Sequence, residues 1–320
     1  MDNWIISKNP KPSHCDWATR GGFVLASPLW ADVLEGLGAD TLFAWSAKYE
    51  TGVLIPVFTK FKLRLAFLGF PLTSDPLDDL PTTATRQLIN LMFSKHGVKL
   101  IRVSRGNRQS SFGHWQSARP DSWIQDINLW HPRKRLRRDL KYSMRNSSHL
   151  KIMPSLVSPE RCHQLYLKTI KAHGGKERYP VEYFRRIEKA GRQCSRLVTL
   201  SAVSKNGATE SFVVMLCHGY WAYYLHGASS AEGKESAVND LLINELISRA
   251  KALDARHFSM MSSPWEQPGL IKFKQKWCSH TGLTTTQDLT YGTIGCLLKH
   301  VSSLSTRKDR EQARKWACRS

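Results

Sequence analysis

The stretch from residue 197 to 253 constrains this chain more than any other. Three runs rich in β-branched, aromatic and aliphatic residues, at 197–204, 210–217 and 220–226, are parted by Asn206-Gly207 and by His218-Gly219. Asn-Gly between such runs is a strong hairpin signal, because both residues tolerate the positive φ that a tight turn demands. The runs therefore read as an antiparallel meander. A glycine-bearing loop, 227–236, then leads to a helix over 238–253 whose apolar face is Leu241, Leu242, Leu246 and Ile247. A helix placed after a strand in this way is a crossover, which brings the next strand, 257–261, in parallel. Meander, crossover and parallel strand together predict a mixed sheet with helices packed on it.

Around this core the same α/β alternation continues. Ser158-Pro159-Glu160 has the order of a helix start, with the helix running to Ala172. Pro180 opens another, with Tyr183, Phe184 and Ile187 on one face. A helix over 269–277 and a strand over 283–290 follow. The first half shows a partial echo in pattern, without a residue-level repeat. Ser27-Pro28 starts a helix to residue 37, and strands at 41–45 and 53–58 flank the turn at Glu50-Thr51-Gly52. Pro56 suits an edge or a bulge, since it cannot donate to a ladder. A strand at 64–70, a loop at 70–76, a helix at 83–96, a strand at 99–103, a loop at 104–120 and a strand at 122–129 complete the half.

At 320 residues the chain exceeds the usual size of one core. The expected organisation is a loose N-terminal arm (1–19), a first lobe (20–132), a basic inter-lobe helix (133–150), a second, catalytic lobe (151–292) and a basic tail (293–320). The 41% hydrophobic and 23% charged residues are globular values, which exclude a disordered chain. No apolar run is long enough to span a membrane, and Met1-Asp2-Asn3-Trp4 lacks the order of a signal peptide, so the cytoplasm is the expected compartment. The seven cysteines have neither C-x-x-C nor finger spacing, and no metal site is expected.

The net charge of +21 attracts polyanions: nucleic acid, anionic membrane surface, or phosphate-bearing substrates. Part of it is local, in Arg133-Lys134-Arg135-Leu136-Arg137-Arg138 and in the tail at Arg307-Lys308, Arg310, Arg314-Lys315 and Arg319. Such clusters bind phosphates without reading sequence. Only Tyr142 is interleaved in the first, so base stacking is not indicated. The common fate of a charge run is a solvated helix face; tRNA and a peripheral contact with an anionic membrane are the partners it would otherwise suit.

Several segments resemble one family. Ala222-Tyr223-Tyr224-Leu225-His226-Gly227-Ala228-Ser229, Asn239-Asp240-Leu241-Leu242, Gly269-Leu270-Ile271-Lys272-Phe273-Lys274 and the basic Arg135-Leu136-Arg137-Arg138-Asp139-Leu140-Lys141 are similar to the Fem-like family. Ser27-Pro28-Leu29-Trp30 and Leu54-Ile55-Pro56-Val57 are similar to its first lobe. That family comprises the Fem peptidoglycan-bridge aminoacyl transferases and related BioF2-like acyltransferases of the GNAT superfamily. The resemblance covers about residues 20–290 and implies tandem GNAT-like lobes of mixed α/β sheet. It implies transfer of an acyl or aminoacyl group to an amine, from an acyl-CoA or an aminoacyl-tRNA, with no tightly bound cofactor.

The resemblance also singles out residues. Phe273-Lys274 with Trp277 matches the family's Phe-Lys-x-x-aromatic motif, in which the lysine is proposed to stabilise the oxyanion. A fixed cation beside the developing charge lowers the barrier to amine attack; the bland alternative is a solvated face, since Lys272, Lys274 and Lys276 alternate. The loop Gly227, Ala228, Ser229, Gly233 leads to a helix start at Val238 and Asn239, whose unpaired N–H groups suit a pyrophosphate. It lacks the Gln/Arg-x-x-Gly-x-Gly/Ala pattern of a standard GNAT, and an ordinary strand-to-helix connection competes with the donor site. His226, after Tyr223-Tyr224, could take the proton of the attacking amine or simply end a strand. Arg178 and Tyr179 in the 173–179 loop, with Tyr224 and Phe273, are the expected acceptor contacts. The reading is an acyl-CoA-dependent N-acyltransferase acting on an amine of a sugar, peptide or cell-envelope precursor. Its rivals are an aminoacyl-tRNA-dependent Fem-like transferase and a non-catalytic nucleic-acid or membrane-binding protein.

Overall fold

A computed structural model describes residues 4–69, 82–106, 117–305, 309, 311 and 312. The loop expected at 70–76, residues 107–116 of the loop expected at 104–120, and most of the tail beyond 305 lie outside the described residues; residues 104–106 and 117–120 of the second loop are strand instead. The chain opens with β1 (Ile5–Ser7), α1 (Pro12–Arg20), α2 (Pro28–Glu35), β2 (Asp40–Ser46), β3 (Thr51–Lys60), β4 (Leu63–Gly69), α3 (Thr82–Ser94), β5 (Val98–Gly106) and β6 (Ser117–Ile124). It continues with α4 (Lys134–Asn146), β7 (Lys151–Met153), α5 (Pro159–Ala172), α6 (Val181–Gln193), β8 (Leu197–Val203), β9 (Thr209–His218) and β10 (Trp221–Ser229). After these come α7 (Ala231–Glu235), α8 (Val238–Ala252), β11 (His257–Ser259), α9 (Pro268–Gln275), β12 (His280–Thr290) and α10 (Gly292–Ser305).

Two compact units emerge. The first holds residues 1–121, 262–271 and 281–320; the second holds 122–261 and 272–280. In the first, the strand order is β1-β2-β3-β4-β5-β12. Its core joins Leu42, Ile55, Leu68, Leu88, Met92 and Ile101. Three expectations change here. The arm is not loose: β1 pairs with β2, and the buried Trp4 indole donates to the Ala84 carbonyl at 2.9 Å. Pro56 stands in an interior strand, yet β4 pairs with β3 only from Val57 onward, so the missing N–H lies beyond that ladder. The last strand, β12, was expected to close the second lobe but runs antiparallel to β5, and the tail begins with a regular helix, α10.

In the second unit the order is β6-β11-β10-β9-β8-β7. The expected meander is β8-β9-β10, and the crossover α8 returns β11 parallel to β10. One face of this sheet packs on α8 and α4 through Leu200, Val213, Met215, Tyr224, Leu242, Leu246 and Leu136. Burying a large aliphatic or aromatic side chain is worth roughly 1.5–3 kcal/mol, so this cluster dominates the unit's stability. The other face carries α5 and α6. The Ser158 hydroxyl caps α5 by accepting from the Arg161 N–H at 3.2 Å. The basic helix α4 buries Leu136 and Ser143 and leaves Arg133, Lys134, Arg135, Arg137, Arg138, Lys141 and Arg145 exposed.

Candidate active site

The site is organised by an irregularity in β10. Along β9 the register runs Tyr224 to Met215 and then His226 to Val214, so Leu225 is an extra residue without a partner. This is a β-bulge. In a regular strand residues 224 and 226 would share a face. The bulge sends them to opposite faces. Tyr224 enters the core against α8, whereas His226 lies among the rings of Tyr179, Tyr183 and Phe184, with centroids at 4.6, 5.4 and 5.8 Å.

On its other side β10 loses its neighbour at the same level. Pairing with β11 covers Trp221, Ala222 and Tyr223, and β11 ends at Ser259. Met261 then takes a left-handed φ of 65° and leads the chain away. From Tyr224 onward the two parallel strands part, leaving a split beside the bulge.

Lys274 lies against the chain just past the end of β11. It is buried, and its Nζ donates to the Met261 carbonyl at 3.0 Å. The solvated-face alternative fails for this residue, although Lys272 is exposed. Lys276 has a different role. It donates to both carboxylate oxygens of Asp240 at 2.8 and 2.7 Å, and lies 3.9 Å from Asp139. Burial pushes the Asp240 carboxyl up from its ordinary pKa, and Lys276 opposes that shift. Phe273 packs against the core with the Lys276 ammonium 5.0 Å from its ring centre.

His226 and Tyr183 form a neutral pair. The Tyr183 hydroxyl lies 2.9 Å from Nε2 of His226. Burial pushes the imidazole pKa down to about 3 and the phenol well above its ordinary value. Nε2 is the phenol's one hydrogen-bond partner among the described residues, and the contact fits two tautomers: a donating hydroxyl puts the imidazole proton on Nδ1, whereas a donating Nε2–H leaves a lone pair there. Tyr179 reaches this group, its ring 4.9 Å from Tyr183. Its neighbour Arg178 anchors the loop through its backbone N–H to the Tyr166 hydroxyl at 3.0 Å and leaves its side chain exposed.

The connection from β10 to α8 is not an open glycine loop. Gly227 lets Tyr224 fold back over it: a Cβ there would stand 1.9 Å from the tyrosine hydroxyl. Ala228 is buried, and the Ser229 and Ser211 hydroxyls meet at 2.8 Å. The one-turn helix α7 follows, with Gly233 pressed on the Glu210 carbonyl. Ala237 takes a left-handed φ of 56°, and its carbonyl accepts from Ser143 at 2.7 Å before Val238 begins α8. The Asn239 Oδ1 is buried without a hydrogen-bond partner, beside the Tyr224 hydroxyl.

The structure therefore gathers Tyr179 with His226, and Tyr224 with Gly227 and Asn239, while Lys274 is tied to the Met261 carbonyl past the end of β11. Ala228, Ser229 and Gly233 serve the sheet and α7. Tyr183, Tyr166, the Met261 carbonyl and the Asp240–Lys276 pair were missed in the sequence. Tyr183 carried a signal only as part of an apolar helix face. No group of three His, Cys, Asp or Glu side chains placed to hold a metal occurs among the described residues.

Residues 133–267 match the family described as the acetyltransferase (GNAT) domain. The stretch from α4 to the start of α9 is thus similar to a GNAT acetyltransferase domain. The match includes Tyr183, His226 and Asn239 and ends seven residues before Lys274. In fold, the chain is similar to FemX, with a TM-score of 0.66 at 12% identity over 93% of this chain and 100% of that one. It is also similar to L-PGS from Bacillus licheniformis, with a TM-score of 0.56 at 13% identity over 93% of this chain and 97% of the other. Among curated proteins no sequence match is found. The mixed α/β fold thus agrees with the expected class, and acyl transfer is the general chemistry that the matched domain supports.

Proposed function

We propose that this protein is an N-acyltransferase whose second unit brings an acyl-CoA thioester and an amine together in the split between β10 and β11. The acceptor amine belongs to a sugar, a peptide or a cell-envelope precursor. The observation that carries this reading is the coincidence of three features at one level: the bulge at Leu225, the end of β11 and the buried Lys274. In this reading the β10 backbone left unpaired past Tyr223 and the Lys274 cation both favour negative charge on a carbonyl oxygen.

The amine nitrogen attacks the thioester carbon, and the oxygen takes up the electron pair. Lys274 and backbone N–H groups of β10 past Tyr223 stabilise this oxyanion. On collapse the carbon–sulfur bond breaks, and the proton lost by nitrogen passes through water to the thiolate. His226 orients a reactant through its Nδ1–H, with Tyr179 and Arg178 on the acceptor side and Phe273 supporting Lys274. The donor's diphosphate faces the start of α8, near Asn239, where the helix dipole is positive. All these residues fall within the second unit, 122–261 and 272–280. A cytoplasmic location follows from the donor, and no described helix is long and apolar enough to cross a membrane.

A second reading, transfer from an aminoacyl-tRNA, is favoured by one observation. The exposed arginines and lysines of α4 offer phosphate contacts beyond the β10–α8 connection, whose flank carries the carboxylates of Glu232 and Glu235. Mass spectrometry of products after incubation with acyl-CoAs or charged tRNA and a panel of amines distinguishes the two. Product from CoA esters, lost in Lys274→Met with the fold intact, supports the first reading. Product only from charged tRNA, with steep salt dependence, replaces it with the second. Failure of both donors to yield product or to shift the melting temperature overturns the assignment.

A further inference from the structure

The helix α4 is built against its own electrostatics. Residues 133–145 hold seven arginines and lysines against one acid, Asp139. Lys134 and Arg138, Arg137 and Lys141, and Lys141 and Arg145 stand four apart, where like charges face one another and repel. Arg133 is the N-cap, and Lys134 and Arg135 open the first turn beside the positive end of the helix dipole. That turn holds no acid, and no described side chain caps it. None of the seven makes an ion pair among the described residues. Other helices of the same unit show the reverse: Arg185, Arg186 and Arg192 of α6 pair with Glu160, Glu182 and Glu188, and Arg249 of α8 with Glu245. A helix that keeps its repulsion unbalanced is suited to an anion from outside.

The start of α4 borders a cleft of about 210 Å³, lined in part by Trp130, His131, Arg133, Lys276 and Trp277. Lys276 is held by Asp240 at 2.7 Å, so Arg133 supplies the uncommitted charge, together with the N–H groups that every helix start leaves unbonded. Trp277 adds a second, independent mark. It is 1% exposed, and its indole Nε1 is buried with no hydrogen-bond partner. Its carbonyl accepts from the Trp130 indole at 2.9 Å, and the two rings stack with centroids 6.3 Å apart. Buried donors are almost always paired, so an orphan N–H in the residue that lines a cationic cleft points to an acceptor brought by a ligand. A carboxylate brings two oxygens and one charge. A phosphate ester brings more oxygens in a tetrahedral array, which a helix start, a guanidinium and an indole can meet from different sides.

We propose that the cleft at the start of α4 binds a phosphate ester, carried by a free nucleotide or by an RNA strand. Arg133 and the first-turn N–H groups are its anion contacts, and the Trp277 indole is a further donor. This goes beyond the acyl-transfer reading, and its test needs no turnover. The full chain is titrated with adenosine monophosphate and, separately, with a short single-stranded RNA. Calorimetry reads the affinity, and nitrogen-15 NMR follows the tryptophan indoles, with Trp277→Phe serving only to assign that signal. Two variants, Arg133→Gln and Arg145→Gln, change exposed positions at opposite ends of the same helix, and melting temperature establishes that each remains folded. The expected result is a probe that moves the Trp277 indole signal and binds Arg133→Gln roughly tenfold more weakly, as for loss of a charge-assisted hydrogen bond, while Arg145→Gln stays close to the parent. Whichever probe does so identifies the source of the phosphate. Equal weakening by the two variants overturns the proposal, because the diffuse charge of α4 would then account for the affinity. So does a Trp277 signal that neither probe moves, and so does a parent that binds neither.

Discussion

Replacing Tyr183 by phenylalanine removes one hydroxyl and almost no volume, which isolates its bond to His226. In the proposed arrangement the phenol donates to Nε2, 2.9 Å away, in a site where burial holds the imidazole neutral, with its pKa down to about 3. A buried acceptor left without its donor costs roughly 1–3 kcal/mol. We therefore expect Tyr183→Phe to lose about 2 kcal/mol in denaturant unfolding and to release the tautomer that the hydroxyl imposes. Nitrogen-15 NMR of labelled histidine reads this directly: in the parent His226 carries its proton on Nδ1, and in the variant the Nε2-protonated form appears. A donor role also separates two substitutions. His226→Asn keeps an N–H near the Nδ1 position and should retain most activity. His226→Ala should lose on the order of 10²-fold or more, as for removal of an oxyanion donor. An imidazole with a pKa of about 3 gives no inflection in kcat/KM between pH 6 and 8. A limb with an apparent pKa near 6.5 that vanishes in His226→Asn would refute the reasoning, because His226 would then be titrating as a base.

Other outcomes follow from the same geometry. Gly227→Ala would place a Cβ 1.9 Å from the Tyr224 hydroxyl and 2.9 Å from its Cζ. Overpacking of that kind costs about 1–3 kcal/mol, and Tyr224→Phe in the same chain should recover part of it, a coupling that a double-mutant cycle measures. Lys276→Met leaves the buried Asp240 carboxylate without the cation that holds it at 2.7 and 2.8 Å. A loss of about 3 kcal/mol is expected at neutral pH, shrinking as pH falls toward 4 and the carboxyl is protonated in both states. His14, His218 and His226 all have pKa values lowered chiefly by burial, so the folded chain keeps them neutral. The unfolded chain takes up protons below about pH 6.5, and stability should therefore fall between pH 7 and 5. Each histidine contributes up to about 1.4 kcal/mol per pH unit below that value. Denaturant midpoints that are flat over this window would contradict their burial.

Much of the second unit was legible in the sequence because its signals are local. Asn206-Gly207 needs no tertiary context to make a hairpin, and Ser158-Pro159 caps α5 wherever that helix docks. The length of α8 alone requires a crossover. In the first unit the misreadings share a physical cause. Residues 5–7 are too short and too mixed to announce a strand, and they become one because β2 offers an edge and Trp4 has a pocket that ends at the Ala84 carbonyl. The strand β12 has an alternating pattern that suits either unit. Its place beside β5 is fixed by pairs such as Arg102 with Asp288, whose N and O atoms lie 2.7 and 2.8 Å apart across 186 residues of sequence.

The site was legible in composition and not in arrangement, and the bulge explains the difference. From alternation alone Tyr224 and His226 belong to one face, and a histidine there competes for space with the core that α8 covers. One unpaired residue, Leu225, reverses that. It sends His226 to the α5–α6 face, where the Tyr183 hydroxyl meets its Nε2 and Tyr179 covers it, and leaves Tyr224 to fold over Gly227. The same inserted residue sits where β10 loses β11. A single local irregularity therefore turns a histidine from a core-facing position to the α5–α6 face, at the level where pairing of β10 with β11 ends. Lys274 could be singled out from its motif, but its burial could not, because that depends on the Met261 carbonyl being freed where β11 stops. The two residues proposed for chemistry owe their positions to the same break in an otherwise regular sheet.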